Sequence, residues 1–232
     1  MSQSLETFAI PAIPGAYYIP NFLQEDLVSE YIPDAKKLPY MSRYYGITGE
    51  DGPELSIFSK KKPNQQPKFL SEVVKKLDES NLMGGNLFQI TVNHYKDATR
   101  RIVSHKDGNG YQVAIVSLGP SHTVLHFHDH PEDMMHITRT TTYPMDNEEN
   151  IIASLWMEPC SCLILRKEAY LRYSHAIIPH SADQVRFSAD DVKDKDGASI
   201  GAYVISNGHL LTVKNNQIVP RGERLSLAIW AR

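Results

Sequence analysis

From residue 87 onward the chain is cut into eight short apolar segments, and this punctuation restricts the fold more than any other feature. They are "LFQITVNHY", "YQVAIVSLG", "HTVLHFH", "NIIASLWME", "SCLILR", "AYVIS", "LLTV" and "RLSLAIWA". Each is long enough for a strand and shorter than a typical helix of about 11–12 residues. Segments this short and closely spaced pair as antiparallel strands, so we expect a mainly β (α+β) protein, a sandwich or barrel with flanking helices. "SADDVKDKDGAS" is acidic, polar and Gly-bearing, which predicts an exposed loop inserted between the last strands, near 183–220.

The flanking helices belong before residue 87. In "YYIPNFLQEDLVSEYIPDAKKL", Asn21 precedes a short helix whose buried side would be Phe22, Leu23, Leu27 and Ile32. In "PKFLSEVVKKLDESNLMGG", Phe69, Leu70, Val73, Val74 and Leu77 recur at helical spacing, and Gly84 and Gly85 mark the stop. Residues 40–66 lose periodicity and read as an exposed loop or hairpin region outside the core. At 232 residues the chain suits one sizeable core, so we expect a single domain, with a helical and lid region over 1–86 and a β core over 87–232. Apolar residues at 41% and charged residues at 22% are the proportions of a chain that folds. The formal charge of -3 supplies no global positive field, so contact with nucleic acid would require a local patch. No segment approaches the ~20 apolar residues that span a bilayer, and a soluble intracellular protein is expected. Cys160 and Cys162, two residues apart on one side of a strand, have poor disulfide geometry and read as reduced structural thiols.

One stretch carries chemistry. "SHKDGNG" places His105 and Asp107 at alternate positions of a strand end, which sends both side chains to one face. A non-haem Fe(II) site of the two-histidine, one-carboxylate type needs one further histidine. His175, in "LRYSHAI", suits this role at the end of an apolar segment, although the chain has ten histidines and spacing alone does not single it out. A solvated turn is the plain alternative. A second constellation competes: His126, His128 and Glu132 in "HFHDHPE" resemble a degenerate cupin metal motif, but Gly119 lies one place out and Arg139 stands where a trailing glycine should fall. Alternating histidines on one hairpin face account for that stretch equally well.

In ordered combination, "VNHYKDATRRIVSHKDG", "VAIVSLGPSHTVLHF", "LWMEPCSCLILRKEAYLRYSHAI" and "RGERLSLAIWAR" resemble the AlkB family of 2-oxoglutarate- and Fe(II)-dependent dioxygenases, most of all the branch of the sixth AlkB homologue. The resemblance extends from about residue 17 to the end. It implies a double-stranded β-helix (jelly-roll) barrel with His105, Asp107 and His175 as iron ligands and 2-oxoglutarate and O2 as cosubstrates. It also implies that Asn93 and Tyr95 hydrogen-bond the 2-oxoglutarate carboxylates, and that Arg224 pairs with the distal carboxylate while Ser226 adds a hydrogen bond. A guanidinium suits that task because it forms two parallel charge-assisted bonds. Where the family often carries a second arginine six positions later, this chain has Trp230.

The implied reaction is oxidative demethylation of an alkylated base, which must be single-stranded or flipped out of a duplex to reach such a pocket. A protein substrate is the other option. Arg43, Lys60, Lys61 and Lys62 would meet phosphates while Tyr44 or Tyr45 stacks on a base. A solvated loop without a partner competes with that lid reading, and Arg100 and Arg101 are alternative phosphate contacts. The resemblance further implies a monomer of the cytoplasm and nucleus. Two other functions stay open: a binding module of weak turnover, and a cupin-like metalloenzyme centred on His126, His128 and Glu132.

Overall fold

The structure, a computed structural model, describes residues 4–42, 52–59, 66–108, 110–129, 150–188 and 200–232. The chain runs through strand β1 (Ala16–Ile19), helix α1 (Glu25–Lys36), strands β2 (Met41–Ser42) and β3 (Glu54–Ser59), and helix α2 (Lys68–Ser80). Next come β4 (Leu87–Tyr95), β5 (Ile102–His105), β6 (Gln112–Pro120), β7 (Thr123–His128), β8 (Ile151–Met157) and β9 (Cys162–Arg166). A one-turn helix α3 (Glu168–Leu171), β10 (Ser174–Ile177), β11 (Ala182–Arg186), β12 (Ile200–Val204), β13 (Ile218–Pro220) and β14 (Arg224–Ala231) complete it.

These strands form a seven-stranded sheet in the order β1-β9-β6-β14-β4-β3-β2, a four-stranded sheet β5-β10-β7-β8, and a small sheet β12-β11-β13. The two larger sheets are antiparallel and face one another as a jelly roll. Alternation along the central strands assigns their faces. On β14, Leu225, Leu227 and Ile229 join Ile90 and Val92 of β4 in a core covered by α2. On the opposite face, Tyr95 and Trp230 join Leu125, Phe127, Leu155 and Leu163 between the sheets. A third, smaller core of Val124, Trp156, Val185 and Ile205 lies beneath the small sheet.

Several expectations need correction. Helix α1 begins after Gln24, not after Asn21, whose φ of 50° is incompatible with a helical cap, and it buries Val28, Tyr31 and Ala35. Phe22 and Leu23 are buried ahead of the helix, where Leu23 N–H donates to the Cys160 carbonyl. Helix α2 buries the five expected residues but stops at Asn81, which takes the left-handed conformation (φ 57°), before the glycine pair. Within 40–66, β3 pairs with β2 as a hairpin, yet it also joins the large sheet through β4 and buries Leu55. "LLTV" forms no strand: both the backbone N–H and the hydroxyl of Thr212 donate to Glu158, which takes the groups a ladder would use. The stretch 183–220 holds the small sheet, with β11 parallel to β12 and antiparallel to β13; residues 189–199, most of the acidic run, lie outside the described residues. Cys160 and Cys162 are buried and free. Among the described residues no helix is long and apolar enough to cross a membrane.

Candidate active site

Strands β5 and β10 pair antiparallel with His105 opposite His175. Their rings lie 4.5 Å apart between centroids, and Asp107, two residues past His105, brings a carboxylate oxygen to 3.8 Å from His175 Nε2. One donor atom from each of the three side chains falls within 4.8 Å of the other two, and among the described residues this is the one such group. His105 Nδ1–H donates to the Val103 carbonyl at 2.9 Å, which fixes the tautomer and leaves Nε2 with its lone pair. Burial, with His105 and His128 acting in the same direction, holds the His175 imidazole well below its ordinary pKa, in the neutral form that binds metals. Two imidazole donors and a carboxylate fit a divalent transition metal with open positions.

The cluster borders a cavity of about 230 Å³ between the two large sheets. Its opposite wall is built from β4 and β14, whose antiparallel register sets Tyr95 against Arg224, Asn93 against Ser226, Thr91 against Ala228 and Gln89 against Trp230. The site residues therefore form rungs on one face, while the residues between them anchor in the helix-covered core. Beside Arg224 the pairing of β14 with β6 carries a bulge, at which Gly119 adopts φ 89°. A Cβ there would meet the Pro159 side chain at 3.0 Å.

Arg224 is the most informative residue of the wall. The residue is only 4% exposed, one side-chain nitrogen donates to Ser226 Oγ at 3.3 Å, and its guanidinium lies 5.2 Å from the Tyr95 ring centroid. No carboxylate among the described residues pairs with it, and its Nε has no hydrogen-bond partner. Burial lowers its pKa, opposed by Tyr95. Burial likewise pushes the Tyr95 hydroxyl up to about 12, against the pull of Arg224 and Ser226, so it stays a protonated donor. A buried cation without a counterion among the described residues calls for an anionic ligand, and a carboxylate suits the paired donors of a guanidinium.

Of the competing cluster, the structure describes His126 and His128. His126 faces away from the cavity, hydrogen-bonded to Ser154 at 2.9 Å and packed edge-on against Tyr203. His128 follows two residues later on β7, and Glu132 lies outside the described residues. Arg43, Tyr44, Tyr45, Lys60, Lys61 and Lys62 also lie outside them. Arg100 pairs with Asp97 at 3.7 Å. Sequence reasoning overlooked Lys106, which lines the cavity from between His105 and Asp107, and assigned no contact to Trp230. Strand alternation would turn Lys106 away from its neighbours, but β5 ends at His105 and the alternation ends with it.

No protein-family model matches the chain. Solved structures do match it over nearly its whole length. OsALKBH1 is 14% identical with a TM-score of 0.55, covering 94% of this chain and 98% of its own. A Pseudomonas putida prolyl-4-hydroxylase is 12% identical with a TM-score of 0.51, covering 94% and 92%. HygX from Streptomyces hygroscopicus, solved with nickel and 2-oxoglutarate bound, is 9% identical with a TM-score of 0.51, covering 99% and 87%. The fold is that of the 2-oxoglutarate oxygenases. Within this oxygenase fold, identities so low carry the architecture alone, and the chemistry must be argued from the side chains.

Proposed function

We propose that the protein is a 2-oxoglutarate- and Fe(II)-dependent dioxygenase of AlkB type that oxidatively demethylates alkylated nucleic acid. The observation that carries this reading is a histidine pair with a carboxylate and, in the same cavity, a buried arginine that no carboxylate among the described residues pairs with. The structural neighbours add support for a metal and a keto acid, since HygX holds nickel and 2-oxoglutarate on the same architecture. The likeness to OsALKBH1 and the ordered AlkB-like motifs favour a nucleic-acid substrate.

His105, Asp107 and His175 would hold the iron. The iron would supply O2 activation there, with 2-oxoglutarate converted to succinate and CO2 and an N-methyl carbon hydroxylated and released as formaldehyde. The chain's own work is positional. Val103 holds the His105 ring in its metal-binding tautomer. Arg224 and Ser226 take the distal carboxylate, and Asn93 and Tyr95 hydrogen-bond the cosubstrate from the neighbouring strand. Apolar side chains of Ile102, Ile115, Leu125, Met157 and Ile177 line the rest of the cavity and limit water.

The test is succinate and formaldehyde formation with Fe(II), 2-oxoglutarate and single-stranded methylated oligonucleotides. Both products are expected from the unaltered chain, and His105→Ala should lose bound iron and drop to background. Retention of oligonucleotide without consumption of 2-oxoglutarate would mark a binding module instead, and an unchanged iron content in His105→Ala would move the metal elsewhere.

A further inference from the structure

A second cavity, of about 540 Å³, shares no lining residue with the active site. That volume falls in the range of small-molecule sites, roughly 300–1,000 Å³. The cavity lies where the stretch entering α1, the turn after β8 and the segment carrying β13 meet. His122 and Trp156 line it as a parallel pair, with ring centroids 4.0 Å apart and planes within 6°. Both are held in place. Asp183 accepts from His122 Nε2–H at 2.9 Å, and the Asn207 side chain fixes the Trp156 backbone through two bonds of 2.9 Å.

The charges of this cavity are negative. Glu25 and Glu158 supply carboxylates, and among the described residues no lysine or arginine lines the cavity or pairs with either of them. Glu158 is half-buried and its hydrogen-bond partners are neutral: Thr212 donates through its N–H at 3.0 Å and its hydroxyl at 2.6 Å, and Tyr18 through its hydroxyl at 3.3 Å. Burial, followed by the charge of Glu25, raises the pKa of the Cys160 thiol in the same wall. His122 is 6% exposed, and burial lowers its pKa against the pull of Asp183, which keeps the ring neutral. With its proton on Nε2, Nδ1 keeps a lone pair that no donor among the described residues meets.

An anion would face two carboxylates here. A metal ion is poorly served, because among the described residues no three His, Cys or carboxylate donor atoms of this cavity lie within 4.8 Å of one another. An ammonium gathers its three donors at one point and meets the same difficulty. A guanidinium spreads five N–H donors over a planar fork and packs flat against aromatic rings. We propose that this cavity binds a guanidinium cation, whose N–H groups reach Glu25, Glu158 and His122 Nδ1 beside the Trp156 ring. A free guanidine and the arginine side chain of a peptide offer the same donors. The inference uses no residue of the proposed active site and stands without it.

The test is calorimetric titration of the full chain with N-acetyl-arginine amide, N-acetyl-lysine amide and the uncharged isostere N-acetyl-citrulline amide. The arginine amide should bind one-to-one, roughly tenfold or more tightly than either of the others, as charge-assisted hydrogen bonds require. Glu158→Gln should weaken that binding roughly tenfold. The exposed Glu25→Gln, which leaves the fold undisturbed, should weaken it by roughly two- to fivefold. Saturating nickel and 2-oxoglutarate should leave the affinity unchanged. Propylguanidine and an acetylated Ala-Ala-Arg-Ala-Ala amide separate the two sources, since tighter binding of the first supports a free guanidine and of the second a protein partner. No binding of the arginine amide, equal binding of the citrulline amide, an affinity unaltered in both variants, or displacement by nickel and 2-oxoglutarate would overturn the inference.

Discussion

Arg221 and Arg224 lie three residues apart, each with its side chain withdrawn from water, yet they keep opposite company. Arg221 is satisfied within the protein. It reaches both carboxylate oxygens of the fully buried Asp183, donates to the Ile178 carbonyl at 2.5 Å, and shares Asp183 with His122. Arg224 has a hydroxyl and an aromatic ring, and no carboxylate among the described residues. A buried charge with its counterion in place ties two parts of a fold together. One without a counterion is tolerated where a ligand will supply it. The histidines divide in the same way: His122 stacks on Trp156 and bonds Asp183, and His126 bonds Ser154, while His105 and His175 turn toward a shared metal-sized gap.

The largest expected effect attacks the ligand side of this contrast. Arg224→Met should weaken 2-oxoglutarate binding by roughly 30-fold to several thousand-fold, the range for truncating one partner of a buried charge pair. Its folding stability should hold or rise slightly, because an uncompensated cation is removed. Calorimetric titration and thermal melts read the two halves, and intact keto-acid affinity would end the distinction. Arg221→Met should do the reverse. It strands the Asp183 carboxylate and should lower stability by about 3–5 kcal/mol in chemical denaturation, with keto-acid affinity of the folded fraction near the unaltered value.

The smallest effect is one of pH and sharpens the histidine half. Burial holds the His126 imidazole down to about 3, with Arg221, His128 and His180 acting in the same direction and Asp183 against it. The unfolded chain takes up this proton near pH 6.5, so the contribution is complete above that pH and is lost progressively as pH falls toward 3. In metal-free denaturation series between about pH 6.5 and 5, His126→Asn should lose about 2 kcal/mol less than the unaltered chain. Parallel slopes would show that His126 does not titrate as its packing implies.

Legibility in the sequence followed how much each residue's role depends on local pattern. Strands β4, β6, β7, β8, β9 and β14 carry enough consecutive apolar residues to announce themselves, and α2 shows its buried stripe outright. Strand β11, reading "ADQVR", does not, since its residues are buried by partners far along the chain: the polar Asp183 by His122 and Arg221, the apolar Val185 by Trp156. Strands β5 and β10 are four residues each, and only their cross-pairing gives His175 a meaning that spacing cannot. The unsatisfied state of Arg224, Lys106 and Trp230 was beyond any reading of the sequence, because a missing partner is a property of the folded neighbourhood and leaves no motif.

The two-sided strand β14 has a consequence for how this protein can change over time. Because the odd positions Leu225, Leu227 and Ile229 lock into the helix-covered layer, the even positions are held in phase with their opposites on β4. Loss or gain of one residue there would exchange the greasy and reactive faces together, so structural collapse and loss of chemistry would arrive as one event. Substitutions at 228 or 230 keep that phase, leaving the far rungs as the place where a descendant can acquire a new substrate without shifting the strand's register.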